Sequence, residues 1–160
     1  MFNAQLMNSK ERKRTFQQLE LQFGTDCAFL KEYAILFQES KGRIIIASPD
    51  LMDDGLQRLR IDSLGLYLGA RIPNGEIRLS VEGSQLIGPH ATKNVIGLDS
   101  EEFNQWMRGN PVEKQTEIHG FVILRHKDDF CGCGKPVRDE KTGVISIHNY
   151  VPKTRHVHGD

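Results

Sequence analysis

The chain has 160 residues, with 21 basic and 21 acidic side chains, so that its formal net charge is zero. A chain of this length can hold one ordinary domain or two small ones, and folding would bury about 68–70% of the unfolded surface without help from disulfides or metals. Zero net charge argues against a bulk polyelectrolyte partner and leaves a local basic patch open. No apolar run approaches the roughly 20 residues that cross a bilayer, the apolar start is too short for a signal peptide, and three cysteines favour reduced thiols in a cytoplasm.

The first part of the chain predicts helices followed by a small antiparallel sheet. Residues 8–23 predict a helix, because Asn8 or Ser9 can cap its start, apolar residues repeat at helical spacing, and Gly24 can end it. Its first turns are basic, and this face is either a solvated surface or a surface for an anionic partner. A short second helix is expected over Cys27–Tyr33.

Strands are predicted over Ala34–Gln38 and Arg43–Ala47, with one or two helical turns over Leu51–Leu59. A hairpin of Leu64–Ile72 and Glu76–Val81 follows, because Pro73-Asn74-Gly75 is strong turn chemistry. The alternation stops at Gly83. We expect a packed hinge there, closed by Gly88-Pro89, which separates residues 1–91 from residues 92–160.

The second part predicts one strand, one helix and three further strands. The strand is Lys93–Leu98, and Asp99 can cap a helix whose stripe of Phe103, Trp106 and Met107 indicates core packing rather than a cofactor site. Gly109 ends this helix. The later strands are Gly120–Arg125, Phe130–Lys135 and Val144–Tyr150. The fold class is therefore α+β, with a small closed or partly closed β-barrel carrying one main helix in the second part.

Residue patterns for catalysis or metal binding are weak. Cys131 and Cys133 are two residues apart, so that both would face one side of a strand, but a zinc site needs a second ligand pair that the sequence does not show. We expect buried thiols and no metal or cofactor. A nucleophile elbow and a phosphate-binding loop are also missing from the sequence, and we expect no catalytic residue.

Basic side chains collect in the second part of the chain. The triplet Arg125-His126-Lys127, Lys135 and the stretch from Lys153 to His158 lie there, and no acidic residue occurs from Asn149 to Gly159. Lys93 and Arg108 bracket the predicted strand and helix. Cations interleaved with glycines and Tyr150 suit RNA, and an ordinary mixed surface is the alternative.

Several motifs resemble a known tandem of RNA-binding modules. Asn94-Val-Ile, followed by a helix that ends in Trp-Met-Arg-Gly-Asn-Pro-Val, resembles the opening of a PUA domain, the module named after pseudouridine synthases and archaeosine transglycosylases. Gly120-Phe-Val-Ile-Leu, Phe130-Cys-Gly-Cys-Gly-Lys and Asn149-Tyr-Val-Pro-Lys-Thr-Arg are similar to its later strands and to the ending of archaeal homologues. Leu64-Gly-Leu-Tyr-Leu-Gly and Ser84-Gln-Leu-Ile-Gly-Pro-His-Ala resemble a pre-PUA unit.

The resemblance implies a pre-PUA domain over residues 1–91 and a PUA domain over residues 92–160. This tandem occurs in a small archaeal and eukaryotic ribosome-biogenesis factor and resembles the C-terminal RNA-binding region of rRNA and tRNA cytosine-C5 methyltransferases. Their catalytic domain has no counterpart in these 160 residues, so we expect a cytoplasmic, non-enzymatic protein that binds rRNA or tRNA. The resemblance, together with the basic clustering, predicts eight RNA-binding residues: Lys93, Arg108, Gly109, Asn110, Arg125, Lys127, Lys153 and Arg155.

A second hypothesis is a protein-interaction adaptor. In that case the pre-PUA unit would dock a separate RNA-modifying enzyme or a ribosome-assembly factor. Neither hypothesis involves a membrane or DNA. An enzyme is the third and weakest hypothesis; a metal or nucleotide bound tightly to the purified protein would favour it, and we expect neither.

Overall fold

The computed structural model describes residues 3–52 and 65–158. Within these ranges the chain forms two five-stranded sheets and three α-helices, in agreement with the predicted α+β class. None of the described helices is long and apolar enough to cross a membrane.

The first sheet is an antiparallel meander that follows the chain order. Its strands are β1 (Gln5–Leu6), β2 (Ala34–Gln38), β3 (Arg43–Ala47), β4 (Leu66–Arg71) and β5 (Ile77–Leu79). The bounds of β2 and β3 are the predicted ones, and the predicted hairpin is formed by β4 and β5. Short apolar runs and turn residues therefore located four of these strands, whereas the two-residue strand β1 was not predicted.

Helix α1 (Ser9–Phe23) packs on this sheet and confirms the prediction for residues 8–23. Asn8 and Glu11 form a capping box at its start, and Gly24 ends it in the left-handed conformation, with φ +72°. Leu19 and Phe23 are fully buried. The apolar stripe and the two caps explain both the position and the length of the helix.

Two other predictions for the first part of the chain have different outcomes. The short helix expected over Cys27–Tyr33 is present only as a 3-10 helix over Ala28–Leu30, which begins after Cys27 because that residue has φ +58° and lies outside the right-handed helical region. Of the turns expected over Leu51–Leu59, only the start lies in the described residues, where Pro49–Met52 is a 3-10 turn.

The predicted packed hinge contains a short helix, which the sequence did not predict. Helix α2 (Val81–Ile87) begins at the Ser80 cap, and a 3-10 turn over Gly88–His90 follows it. A side chain at Gly83 would lie 1.9 Å from the main-chain oxygen of Leu68, so that only glycine allows α2 to pack this closely on β4. Tertiary packing thus overrides the weak helix propensity of Gly and Ser at the centre of this segment.

The second sheet contains β6 (Val95–Gly97), β7 (Val112–Glu113), β8 (Val122–His126), β9 (Asp129–Arg138) and β10 (Ile145–Asn149), in the order β6-β8-β9-β10-β7. Strand β6 is parallel to β8, and the other pairs are antiparallel. Helix α3 (Ser100–Met107), capped by Asp99 as predicted, follows β6. The two-residue strand β7 was not predicted.

The larger hydrophobic core crosses the predicted boundary at residues 91 and 92. Leu19, Phe23 and Ile87 from the first part share one buried cluster with Phe121 and Ile123 from the second part. A second cluster surrounds the fully buried Trp106, which confirms the core interpretation of its helical stripe. The two sheets separate at the predicted boundary, and the division into two domains stays a prediction.

Candidate nucleic-acid interface

The loop after α3 is fixed by the last described segment of the chain. Gly109 adopts φ +89°, and a side chain at this position would lie 2.1 Å from the ring of His156. The main-chain N–H of Val157 donates to the carbonyl of Met107 over 2.7 Å. Arg108 and Asn110, both exposed, are therefore held beside residues 151–158, which carry Lys153 and Arg155 and are called the last segment below.

Asn149, at the end of β10, joins this loop to the sheet. Its Nδ2 donates to the carbonyls of Trp106 and Asn110 over 2.8 and 3.1 Å, and its Oδ1 accepts from the N–H of Val151 over 2.8 Å. Trp106 itself donates from Nε1 to the carbonyl of Cys131. Asn149 was not predicted as a site residue, because a single Asn at a strand end does not show in the sequence which distant carbonyls it faces.

Arg155 has a carboxylate partner on a distant element of the described structure. Its Nη1 donates to Oε1 of Glu82 on α2, which is 73 positions away in the sequence. Burial alone would raise the pKa of Glu82, but its hydrogen bond to Arg155, a main-chain hydrogen bond and the attraction to the guanidinium lower it overall. A phosphate would have to compete with Glu82 for Arg155.

Arg125, near the end of β8, and Lys127, in the turn between β8 and β9, lie close together. The Nε of Arg125 donates to the carbonyl of Lys127 over 2.6 Å, its Nη2 lies 3.5 Å from the carboxylate of Asp128, and its guanidinium stands over the ring of Phe130. Lys127 has φ +54° and is exposed at the tip of the turn. Arg125 is thus partly engaged within its own turn, whereas Lys127 has no carboxylate partner among the described residues.

A groove of about 380 Å³ lies between α2, α3, the β8–β9 turn and the last segment. Apolar side chains line much of it, and Arg155, Gln85 and the carboxylates of Asp128 and Asp129 supply polar lining. Arg155 lines the groove together with Asp128, which follows Lys127 in the β8–β9 turn. Because two carboxylates stand there, the groove itself does not suit a phosphate, and phosphate contacts belong to its basic surroundings.

Lys93 lies at a different place, beside the end of α1. Its N–H donates to the carbonyl of Phe23 over 3.3 Å, and the neighbouring Thr92 hydroxyl donates to the carbonyl of Gly24 over 2.9 Å. These main-chain and hydroxyl contacts hold residues 92 and 93 against the end of α1. Among the described residues, no contact joins Lys93 to the other seven predicted residues.

The cysteines do not share one face, which corrects the prediction for Cys131 and Cys133. Cys131 packs in the cluster around Trp106, whereas Cys133 packs in the larger core, because Gly132 has φ +124° and the β8–β9 register shifts nearby. Burial is the main cause that raises the pKa of each thiol, Cys27 included, to about 12. Thiols of this kind are protonated at neutral pH and are poor nucleophiles. In the described residues, no group of three or more His, Cys, Asp or Glu side chains is arranged to hold a metal ion.

Comparison with known proteins agrees with the geometry of the second part. Residues 93–155 match the family model described as the methyltransferase RsmF PUA domain. This segment resembles a PUA domain. A stretch of 88 residues is also 32% identical to the ribosomal RNA small subunit methyltransferase F of Aeromonas salmonicida (strain A449), and covers 54% of this chain and 18% of that protein. The chain therefore spans less than a fifth of this relative, and the PUA match contains all eight predicted RNA-binding residues.

Proposed function

We propose that the chain is a non-catalytic, cytoplasmic RNA-binding protein that acts in the maturation of rRNA or tRNA and in ribosome biogenesis. The observation that carries the proposal is the similarity of residues 93–155 to the PUA domain of an rRNA methyltransferase. The exposed cations of the α3 loop and the last segment support it, since they lie within this region and are held by a fixed backbone. RNA is the partner.

The proposed contact surface consists of the α3 loop, the last segment and the β8–β9 turn. Arg108, Lys127 and Lys153 are exposed and have no carboxylate partner in the described part of the chain, so they supply the first phosphate contacts. Gly109 leaves room for the His156 ring, so that the α3 loop and the last segment can pack together and present these cations on one surface. Structured or single-stranded RNA would be recognised mainly through its backbone and a few unpaired bases.

The test is the salt dependence of RNA binding. Arg108→Ala and Lys153→Ala should each weaken binding to rRNA or tRNA fragments, and each should reduce the slope of log affinity against log salt by about 0.7 for every single-strand phosphate that the side chain no longer neutralises. Lys141→Ala, at an exposed position in the turn before β10, is the matched control and should leave the slope unchanged. Absent or salt-independent RNA binding by the unmodified protein would reject the proposal.

One observation favours the adaptor as a second candidate function. The groove beside α3 combines apolar lining with the carboxylates of Asp128 and Asp129, and such a surface suits a basic, partly apolar protein segment better than a phosphate. An RNA-modifying enzyme or ribosome-assembly factor would then be the partner. The adaptor function would be favoured over direct RNA binding if this protein partner stays bound to the chain in a pull-down after nuclease treatment and no longer binds the Asp128→Lys variant.

A further inference from the structure

A cluster of aromatic rings and cations in mutual contact lies beside the end of β10, outside the eight residues predicted from the sequence. The guanidinium of Arg78 stands 4.9 Å from the centre of the Tyr150 ring, and the ring of His148 is 4.7 Å from it. Tyr150 meets Phe121 edge to face at 5.8 Å, and the ammonium of Lys135 stands 5.3 Å from the Phe121 ring. We call these five residues the cation–aromatic ledge.

The ledge is anchored in the core and open to solvent. Phe121 is 3% exposed and belongs to the larger hydrophobic core, whereas Tyr150, Arg78 and Lys135 are half-buried and His148 is exposed. His148 and Lys135 are directly paired residues of β10 and β9, so their side chains leave the sheet on the same face. The rings are therefore held in place by their neighbours.

The charge of the ledge is not neutralised by neighbouring carboxylates. Among the described residues, neither Arg78 nor Lys135 forms an ion pair. The carboxylate of Glu76, which lies near Gly120 at the edge of this surface, accepts a hydrogen bond from the side chain of Asn74 over 3.1 Å. A surface with rigid rings and unpaired cations can stack a nucleobase and bind the adjoining phosphate at the same time.

We propose that the cation–aromatic ledge is a second RNA-binding site, which stacks an unpaired base of the RNA bound by the α3 loop and the last segment. This inference rests on the proposed function. Tyr150 and Lys153 are three residues apart, so their Cα atoms are at most about 11 Å from each other, and one RNA segment can contact both surfaces. The ledge selects for single-stranded RNA, because bases inside a duplex cannot stack on a protein ring.

The experiment locates the contact first and then removes it. The intact protein is crosslinked to a single-stranded oligouridine that carries 4-thiouridine, and the crosslinked residues are mapped by mass spectrometry; we expect Tyr150 or His148 among them. Tyr150→Leu should weaken binding of this oligonucleotide by about fivefold to 150-fold, the effect of removing one aromatic stack, whereas Tyr150→Phe should retain it. Binding of a duplex RNA should change much less.

A second variant distinguishes weaker RNA binding from a damaged fold. Lys135→Gln lies on the surface side of the ledge and should reduce the salt slope for the single strand by about 0.7 without lowering the melting temperature. Crosslinks confined to the α3 loop and the last segment, with unchanged affinity for Tyr150→Leu and Lys135→Gln, would overturn the inference and leave the proposed function standing. Failure of the unmodified protein to bind any RNA would instead reject the proposed function and the ledge together.

Discussion

Removal of the Asn149 side chain should loosen the α3 loop, and the loss of stability can be worked out from its hydrogen bonds. Asn149→Ala removes two donated hydrogen bonds, to the carbonyls of Trp106 and Asn110, and one accepted from the N–H of Val151. The Trp106 carbonyl still accepts from the N–H of Gly109, and Asn110 is exposed to water. A hydrogen bond contributes roughly 1 kcal/mol, and the largest cost falls on the N–H of the buried Val151. The two carbonyls cost less than a full hydrogen bond each, because Gly109 and water can satisfy them. The expected loss is therefore about 2 kcal/mol.

The assay is thermal and denaturant unfolding followed by circular dichroism. A loss of about 2 kcal/mol should lower the melting temperature by about 4–8 °C for a chain of this size. Asn104→Ala is the matched control, because Asn104 is an exposed residue of α3 and the same atoms are removed. If both variants unfold within about 0.5 kcal/mol of each other, the reasoning on Asn149 is refuted.

Asn149→Asp refines the same prediction. It keeps an acceptor for Val151 but places a carboxylate against the carbonyl oxygens of Trp106 and Asn110. The pKa of this Asp should rise, because its neighbours repel the charged form. The extra destabilisation is then present at pH 7 and fades as pH falls towards about 4, where the protonated carboxyl can donate again. A pH-independent difference from Asn149→Ala would contradict this account.

Three further outcomes are expected. Gly109→Ala should lose about 1–3 kcal/mol of stability, because a side chain at positive φ is strained and would overlap the His156 ring. Gly143→Ala, at a position with positive φ but open space, should lose less, and denaturant unfolding curves compare the two variants. Glu82→Gln should raise RNA affinity by freeing Arg155, measured by fluorescence anisotropy, and unchanged affinity would contradict this. Since the pKa of Glu82 is lowered, its ionised form stabilises the fold at neutral pH and this contribution is lost as pH falls through that pKa, so Glu82→Gln and the unmodified protein should converge in stability at acidic pH. The buried thiols of Cys27, Cys131 and Cys133 should react with iodoacetamide at neutral pH only after the protein unfolds. Rapid labelling of the native protein would contradict their burial.

Local signals in the sequence were sufficient for the elements that carry their own caps and periodicity. Helix α1 begins after Asn8 and ends before Gly24, and α3 begins after Asp99, because capping residues act on the backbone within one turn. Strands β2 and β3 were located because each is a short, largely apolar run bounded by turn residues. These features depend on neighbours a few positions away, which a sequence shows directly.

Features that depend on distant contacts were not predictable in the same way. Helix α2 contains Gly83 because the backbone of β4 passes beside it, and neither strand alternation nor helix propensity shows this approach. The partner of Arg155 lies on α2, so no local pattern indicates a neutralised cation within the basic last segment. The separation of Cys131 from Cys133 likewise follows from the backbone of Gly132 and from the register shift between β8 and β9.

The shared core has a consequence for how the two proposed RNA-contacting surfaces are placed. Phe121 belongs to the same buried cluster as Leu19 and Phe23 of α1, and it also supports Tyr150 in the ledge. Arg78, from β5 of the first sheet, completes the ledge over Tyr150. The first part of the chain therefore does more than precede a PUA-like module, because it supplies one of the ledge cations and packs against the residue on which the ledge rests. Arg78→Gln is a substitution outside the PUA match that should nevertheless weaken single-stranded RNA binding, and an unchanged affinity would show that the Arg78 side chain takes no part in it.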